Sequence, residues 1–290
     1  MHSTIIINRK GDFSRQEKNH LRPARGNLFS FRYDRDRNWT KGAGCVITVD
    51  RVTKIFKTKK ETIYAAKSFS FEIGKGEVVG LLGENGAGKT TLLRMIATLL
   101  EPTEGRISVS GFDTIMQPME VKKRIGVLFG GETGLYERLT ARENLEYFAM
   151  LYGMSEHEIK VRIDSLAVKF GMKEYLHRRV GTFSKGMRQK VAIARTLIHD
   201  PEVILFDEPT TGLDITSANI FRQLIHQLRG EGKTIIFSSH IMEEVQLLCQ
   251  SVIMIHKGEM IYHGSLQDLY EEEQSKDLNY IMMSKVVRGA

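Results

Sequence analysis

The sequence predicts an α/β fold in which strands and helices alternate around a helical insert near residues 130–190. Two observations predict it. Short apolar runs such as 203–206 and 235–237 have the length and composition of buried strands, and helix-length segments separate them. Between residue 130 and about residue 186 the strands stop, and two helix starts follow one another.

The elements follow in order. Val46-Ile47-Thr48-Val49-Asp50 reads as the first strand of the folded body. Residues 68–73 alternate polar and apolar, as a half-buried strand does. Residues 77–82 form a buried strand that feeds a glycine-rich turn, and 89–100 reads as a helix. Residues 106–110 and 125–129 read as strands. Thr140 with Glu143, and Ser155 with Glu158, are capping boxes that open two helices of the insert. A third helix spans about 186–198. Alternation then returns: strand 203–206, helix 215–228, strand 234–237, helix 241–248, strand 251–255. A short helix at 266–273 precedes a mixed end, with the domain taken as 46–280 and a tail as 281–290.

Composition narrows the function classes. The chain has 290 residues, 41% hydrophobic and 27% charged, as globular proteins do. No apolar run approaches the ~18 residues needed to span a bilayer, so a membrane role requires a separate spanning chain. Net charge is +7, but residues 1–44 hold ten Lys/Arg against four acids. Nearly all of the excess therefore belongs to the N-terminal segment, which weakens a nucleic-acid reading of the body. That segment is expected to be a disordered basic extension, or a stretch read from upstream of the true start. It lacks an apolar core followed by a cleavage site. Two cysteines, Cys45 and Cys249, give neither a disulfide framework nor a metal spacing and fit a reducing compartment.

The chemistry lies in four motifs. Gly83-Glu84-Asn85-Gly86-Ala87-Gly88-Lys89-Thr90 fits the Walker A pattern of a P-loop NTPase, after a strand and before a helix. Its backbone N–H groups and helix N-terminus suit phosphate. Lys89 is expected to reach the β- and γ-phosphates and Thr90 to ligate Mg²⁺, with Thr91 in the same nucleotide-binding set. The bland alternative is a glycine-rich turn with an incidental lysine. Residues 203–206 end in Asp207 and Glu208, which are a Mg²⁺ ligand and a general base, or else two solvated acids. His240 follows another apolar strand and is a candidate γ-phosphate contact, or else a structural histidine. Ser184 and Gly186, in Phe183-Ser184-Lys185-Gly186-Met187, open a helix, which serves either as an ordinary cap or as a second phosphate clamp.

In this order, with Thr211-Gly212-Leu213-Asp214, the motifs over 46 to about 265 resemble an ABC-transporter nucleotide-binding domain. The resemblance implies a RecA-like core with an antiparallel β edge and an inserted helical subdomain. It implies ATP and Mg²⁺ as ligands. It also implies a head-to-tail homodimer, in which Ser184, Gly186 and Asp214 of one copy close on ATP held by the other. Phe56 stands where the family stacks an aromatic on adenine; its alternative is a core position in a short strand.

Two departures stand out. Lys185 and Met187 replace the commoner signature residues, and Gly130 stands where the family carries the Q-loop glutamine, with Glu132 the nearest acid. The run 126–136, together with 183–190 and Asp277-Leu278-Asn279-Tyr280, resembles the Nat-type sodium-efflux branch. That branch implies Na⁺ export through a NatB-type transmembrane permease subunit, with this chain peripheral on the cytoplasmic face. The competing expectations are export of a drug, lipid or polysaccharide, or a soluble ribosome- or DNA-associated ATPase.

Overall fold

A computed structural model of the chain describes residues 44–130, 134–210 and 215–288; the expectation for the basic extension lies outside them, as do Glu132 and Asp214. The first strands are β1 (Cys45–Lys57), β2 (Thr62–Gly74) and β3 (Val78–Leu82), followed by helix α1 (Lys89–Ile96). Then come β4 (Glu104–Val109), β5 (Phe112–Asp113), α2 (Pro118–Lys122) and β6 (Ile125–Leu128). Helices α3 (Ala141–Leu151), α4 (Glu156–Lys169) and α5 (Lys185–Thr196) lead to β7 (Val203–Asp207). The chain continues through α6 (Ile215–Gly230), β8 (Thr234–Ser238), α7 (Met242–Leu248), β9 (Ser251–His256) and β10 (Glu259–Ser265). It closes with α8 (Leu266–Glu273) and α9 (Leu278–Arg288).

Two sheets form, one antiparallel in the order β2-β1-β4-β5 and one of order β10-β9-β3-β8-β7-β6. In the second, every pairing is parallel except β10 with β9. The central strands β3, β8 and β7 are buried at every position, as a parallel sheet covered on both faces demands. Their side chains alternate between two cores. Val203 and Leu205 join α1 and the antiparallel sheet; Ile204 and Phe206 join the helices of the other face.

Local chemistry explains the element boundaries. Both capping boxes are complete, with Thr140 and Ser155 accepting from the N–H three residues on and Glu143 and Glu158 reaching back. Two segments depart from the sequence expectation. Helix α1 stops at Ile96 instead of 100, because Thr98 turns left-handed at φ 61°. The tail expected from residue 281 is helix α9 as far as Arg288, with Ile281 and Met282 buried. Among the described residues no helix is long and apolar enough to cross a membrane.

Candidate active site

The parallel strands β3, β7 and β8 lie side by side, so their carboxyl ends deliver three loops to one edge. Ligands of open α/β sheets bind at such an edge. The loop after β3 runs from Gly83 to Gly88, and Gly88 caps α1 at φ 119°. A Cβ at Gly88 would lie 2.2 Å from the Ala65 carbonyl oxygen of β2, so only glycine lets the loop pass there. Glu84, Asn85 and Gly86 are exposed, Ala87 and Gly88 are buried, and Thr91 is half-buried. His256, at the end of β9, puts Nδ1 3.6 Å from Glu84 Oε2.

Lys89 is 5% exposed and donates to the carbonyls of Gly83 at 2.7 Å and Glu84 at 3.1 Å. Its Nζ also lies 4.0 Å from Glu208 Oε1. Thr90 Oγ1 donates to Asp207 Oδ2 at 2.8 Å, and Ser238 Oγ donates to Asp207 Oδ1 at 2.7 Å. Thr90 and Asp207 thus present adjacent hard oxygens, the donor chemistry that suits Mg²⁺ completed by phosphate and water. Glu208 takes a left-handed backbone, φ 47°, and its N–H donates to Ser238 Oγ at 2.8 Å. Glu208 Oε2 lies 3.9 Å from Nδ1 of His240, whose side chain is half exposed. A lysine, a hydroxyl, two carboxylates and an imidazole therefore converge on one edge. This set can hold polyphosphate and take a proton from water attacking it.

Other expected residues are not drawn into that cluster. Ser184 is exposed and caps α5, its Oγ accepting from Met187 N at 3.3 Å, with Gly186 half-buried beside it. No hydrogen bond or ion pair among the described residues joins either to Lys89 or Asp207. Phe56 is 38% exposed near the end of β1, with the Lys54 ammonium 5.3 Å from its ring centroid, so it is not a core residue. It pairs with Ile63, two residues before Ala65.

Gly130 follows β6, and a Cβ there would lie 2.8 Å from the Asp207 carbonyl oxygen. A glutamine at that position would force the backbone to shift.

Three polar residues that sequence reasoning did not single out make long-range hydrogen bonds in or around these loops. Ser238 bridges Asp207 and the Glu208 N–H. Gln189 in α5 donates to the Pro209 carbonyl at 3.0 Å, and Arg195 in α5 donates to the Gly134 carbonyl at 2.8 Å. The only sequence signal for Ser238 was its place two residues before His240.

Comparison with known proteins shows the family. Residues 66–211 match the family described as ABC transporter. The chain is 68% identical to the ABC transporter ATP-binding protein NatA of Bacillus subtilis, over 84% of this chain and 99% of that protein. It is 40% identical to the linearmycin resistance ATP-binding protein LnrL of the same organism, over 72% of this chain and 67% of that one. A dimeric ATP-binding cassette in a post-hydrolysis state, bound to ADP and Pi, superposes with a TM-score of 0.69 at 30% identity, covering 76% of this chain and 98% of the other. The chain therefore belongs to the ABC transporter family, as an ATP-binding subunit whose ATP hydrolysis is coupled to transport.

Proposed function

We propose that this chain powers Na⁺ efflux through a separate NatB-type transmembrane permease, from a peripheral position on the cytoplasmic face of the membrane. The observation that carries the proposal is the 68% identity to NatA across 99% of that protein, far above the 40% to a resistance ATPase.

In this reading the residues take the following roles. Lys89 leaves the carbonyls of Gly83 and Glu84 to reach the β- and γ-phosphates, while the N–H groups of the loop from Gly83 to Gly88, with Thr91, cradle them. Thr90 and Asp207 hold Mg²⁺, which supplies charge neutralisation on the phosphates. Glu208 accepts the proton of the attacking water as its oxygen bonds to the γ-phosphorus, and the bond to the β–γ bridging oxygen breaks to leave ADP and phosphate. His240 contacts the γ-phosphate, and Phe56 stacks on adenine. Ser184, Gly186 and Asp214 act on the ATP of a second copy, which makes the working unit a head-to-tail homodimer. The exposure of Ser184 supports that division.

The test is radioactive Na⁺ movement in vesicles that hold this chain and its neighbouring membrane subunit. ATP-dependent efflux that disappears in Lys89→Ala is expected. Vesicles that hydrolyse ATP without moving Na⁺ would sink the sodium reading and leave the ATPase intact.

A further inference from the structure

Glu244 lies in the first turn of α7, only 2% exposed, and no step above uses it. Its Oε2 accepts two hydrogen bonds, from Thr210 Oγ1 at 2.8 Å and from Ser239 Oγ at 3.1 Å. Both donors are themselves buried, Thr210 at 5% and Ser239 at 2%. A buried carboxylate is tolerated only where such bonds replace water, so this side chain has little freedom to move.

The two donors come from different loops. Thr210 stands two residues beyond Glu208 on the loop leaving β7. Ser239 immediately precedes His240 on the loop leaving β8, and its Oγ also accepts from the Ile241 N–H at 3.0 Å. One oxygen therefore ties the segment of the proposed general base to the segment of the proposed switch histidine. Such a tie bears on both segments. Glu208 holds a left-handed φ of 47°, which a residue with a side chain keeps only when its surroundings impose it. The His240 side chain is half exposed and stands 3.9 Å from Glu208 Oε2, so its placement relies on the loop beneath it.

We propose that Glu244 is a positioning residue for ATP hydrolysis, keeping the Glu208 and His240 segments in register through Thr210 and Ser239. The proposal rests on the roles assigned to Glu208 and His240 above. Its test is ATP turnover by the full-length chain in its membrane complex, with melting temperature measured on the same preparations. Glu244→Leu, of similar volume and without an acceptor, is expected to lower kcat about tenfold or more, the scale of a misplaced catalytic group. KM for ATP is expected to change by less than about twofold, since binding is not disturbed. Glu244→Gln keeps an acceptor oxygen and is expected to recover most of the turnover.

Thr210→Val and Ser239→Ala remove one donor each and are expected to lower kcat without unfolding the chain; they decide the matter if Glu244→Leu does not fold. Normal turnover in all of these variants overturns the proposal. So does equal impairment of Glu244→Gln and Glu244→Leu, or a loss of kcat that merely follows melting temperature. Glu208→Gln is measured alongside. If it keeps its turnover, the site reading fails; if it is inactive while the Glu244, Thr210 and Ser239 variants are normal, only the role of Glu244 fails.

Discussion

Glu208 sits between Lys89 Nζ at 4.0 Å and His240 Nδ1 at 3.9 Å, with its backbone N–H fixed by Ser238. It stands beside, and not within, the loop of Gly83 to Gly88, and the proposal gives it a part in turnover and none in binding. Glu208→Gln is therefore expected to leave ATP affinity intact by calorimetry and to cut ATPase turnover by about 10²-fold or more. A variant with normal turnover removes Glu208 from the base role. Gly130 leads to an opposite kind of prediction. Restoring the family's glutamine, Gly130→Gln, forces a Cβ to within 2.8 Å of the Asp207 carbonyl oxygen. Overpacking of this kind costs about 1–3 kcal/mol, so the variant is expected to melt lower and hydrolyse no faster. A stable, faster enzyme would show that the loop after β6 can rearrange. Lys89, Thr90, Asp207 and Glu208 were legible in the sequence because each belongs to a contiguous motif with its own strand. Ser238, Gln189 and Glu244 were not, because an isolated serine, glutamine or glutamate acquires meaning only from what lies across the sheet.

At the scale of elements, the capping boxes of α3 and α4 were legible because all their bonds lie within four residues. The attachment of that helical insert to the core was not. Tyr152, which caps the end of α3, stacks on His199, just beyond α5, with ring centroids 3.6 Å apart and planes 8° apart. His199 Nε2 bonds the Ile125 carbonyl at 3.0 Å, at the start of β6, while Nδ1 is buried without a partner among the described residues. Burial pushes the ring down to about 4 from its ordinary value of 6.5. Between those values the unfolded chain binds a proton that the folded chain does not, so stability is lost as pH falls through this window. From pH 7 to pH 5 the loss is about 2 kcal/mol. Thermal melts are expected to show a shallower pH dependence for His199→Gln than for the unsubstituted chain; equal slopes would dismiss His199 as the source.

For the whole molecule, the exposed Ser184, the half-buried Gly186 and the buried Lys89 accord with the proposal that one chain holds two half-sites. Glu208→Gln with ATP is therefore expected to run as a dimer in size-exclusion chromatography with light scattering. Adding Ser184→Arg, which crowds the exposed cap of α5, is expected to return it to monomer while each chain still binds ATP. A monomer throughout would contradict sharing of ATP between copies. By itself the sequence determined the phosphate loop, the acids after β7 and the alternation of strand and helix, since each depends on residues adjacent in the chain, and the family, which depends on the order of those motifs. Only the tertiary structure decided that Thr90, Asp207 and Ser238 form one hydrogen-bonded chain, that Thr210 and Ser239 share one carboxylate, and that a side chain at Gly130 would crowd the Asp207 carbonyl. The physical reason is the strand order β3-β8-β7-β6, which sets side by side the ends of segments far apart in sequence and leaves backbone spacing to dictate which side chains fit between them.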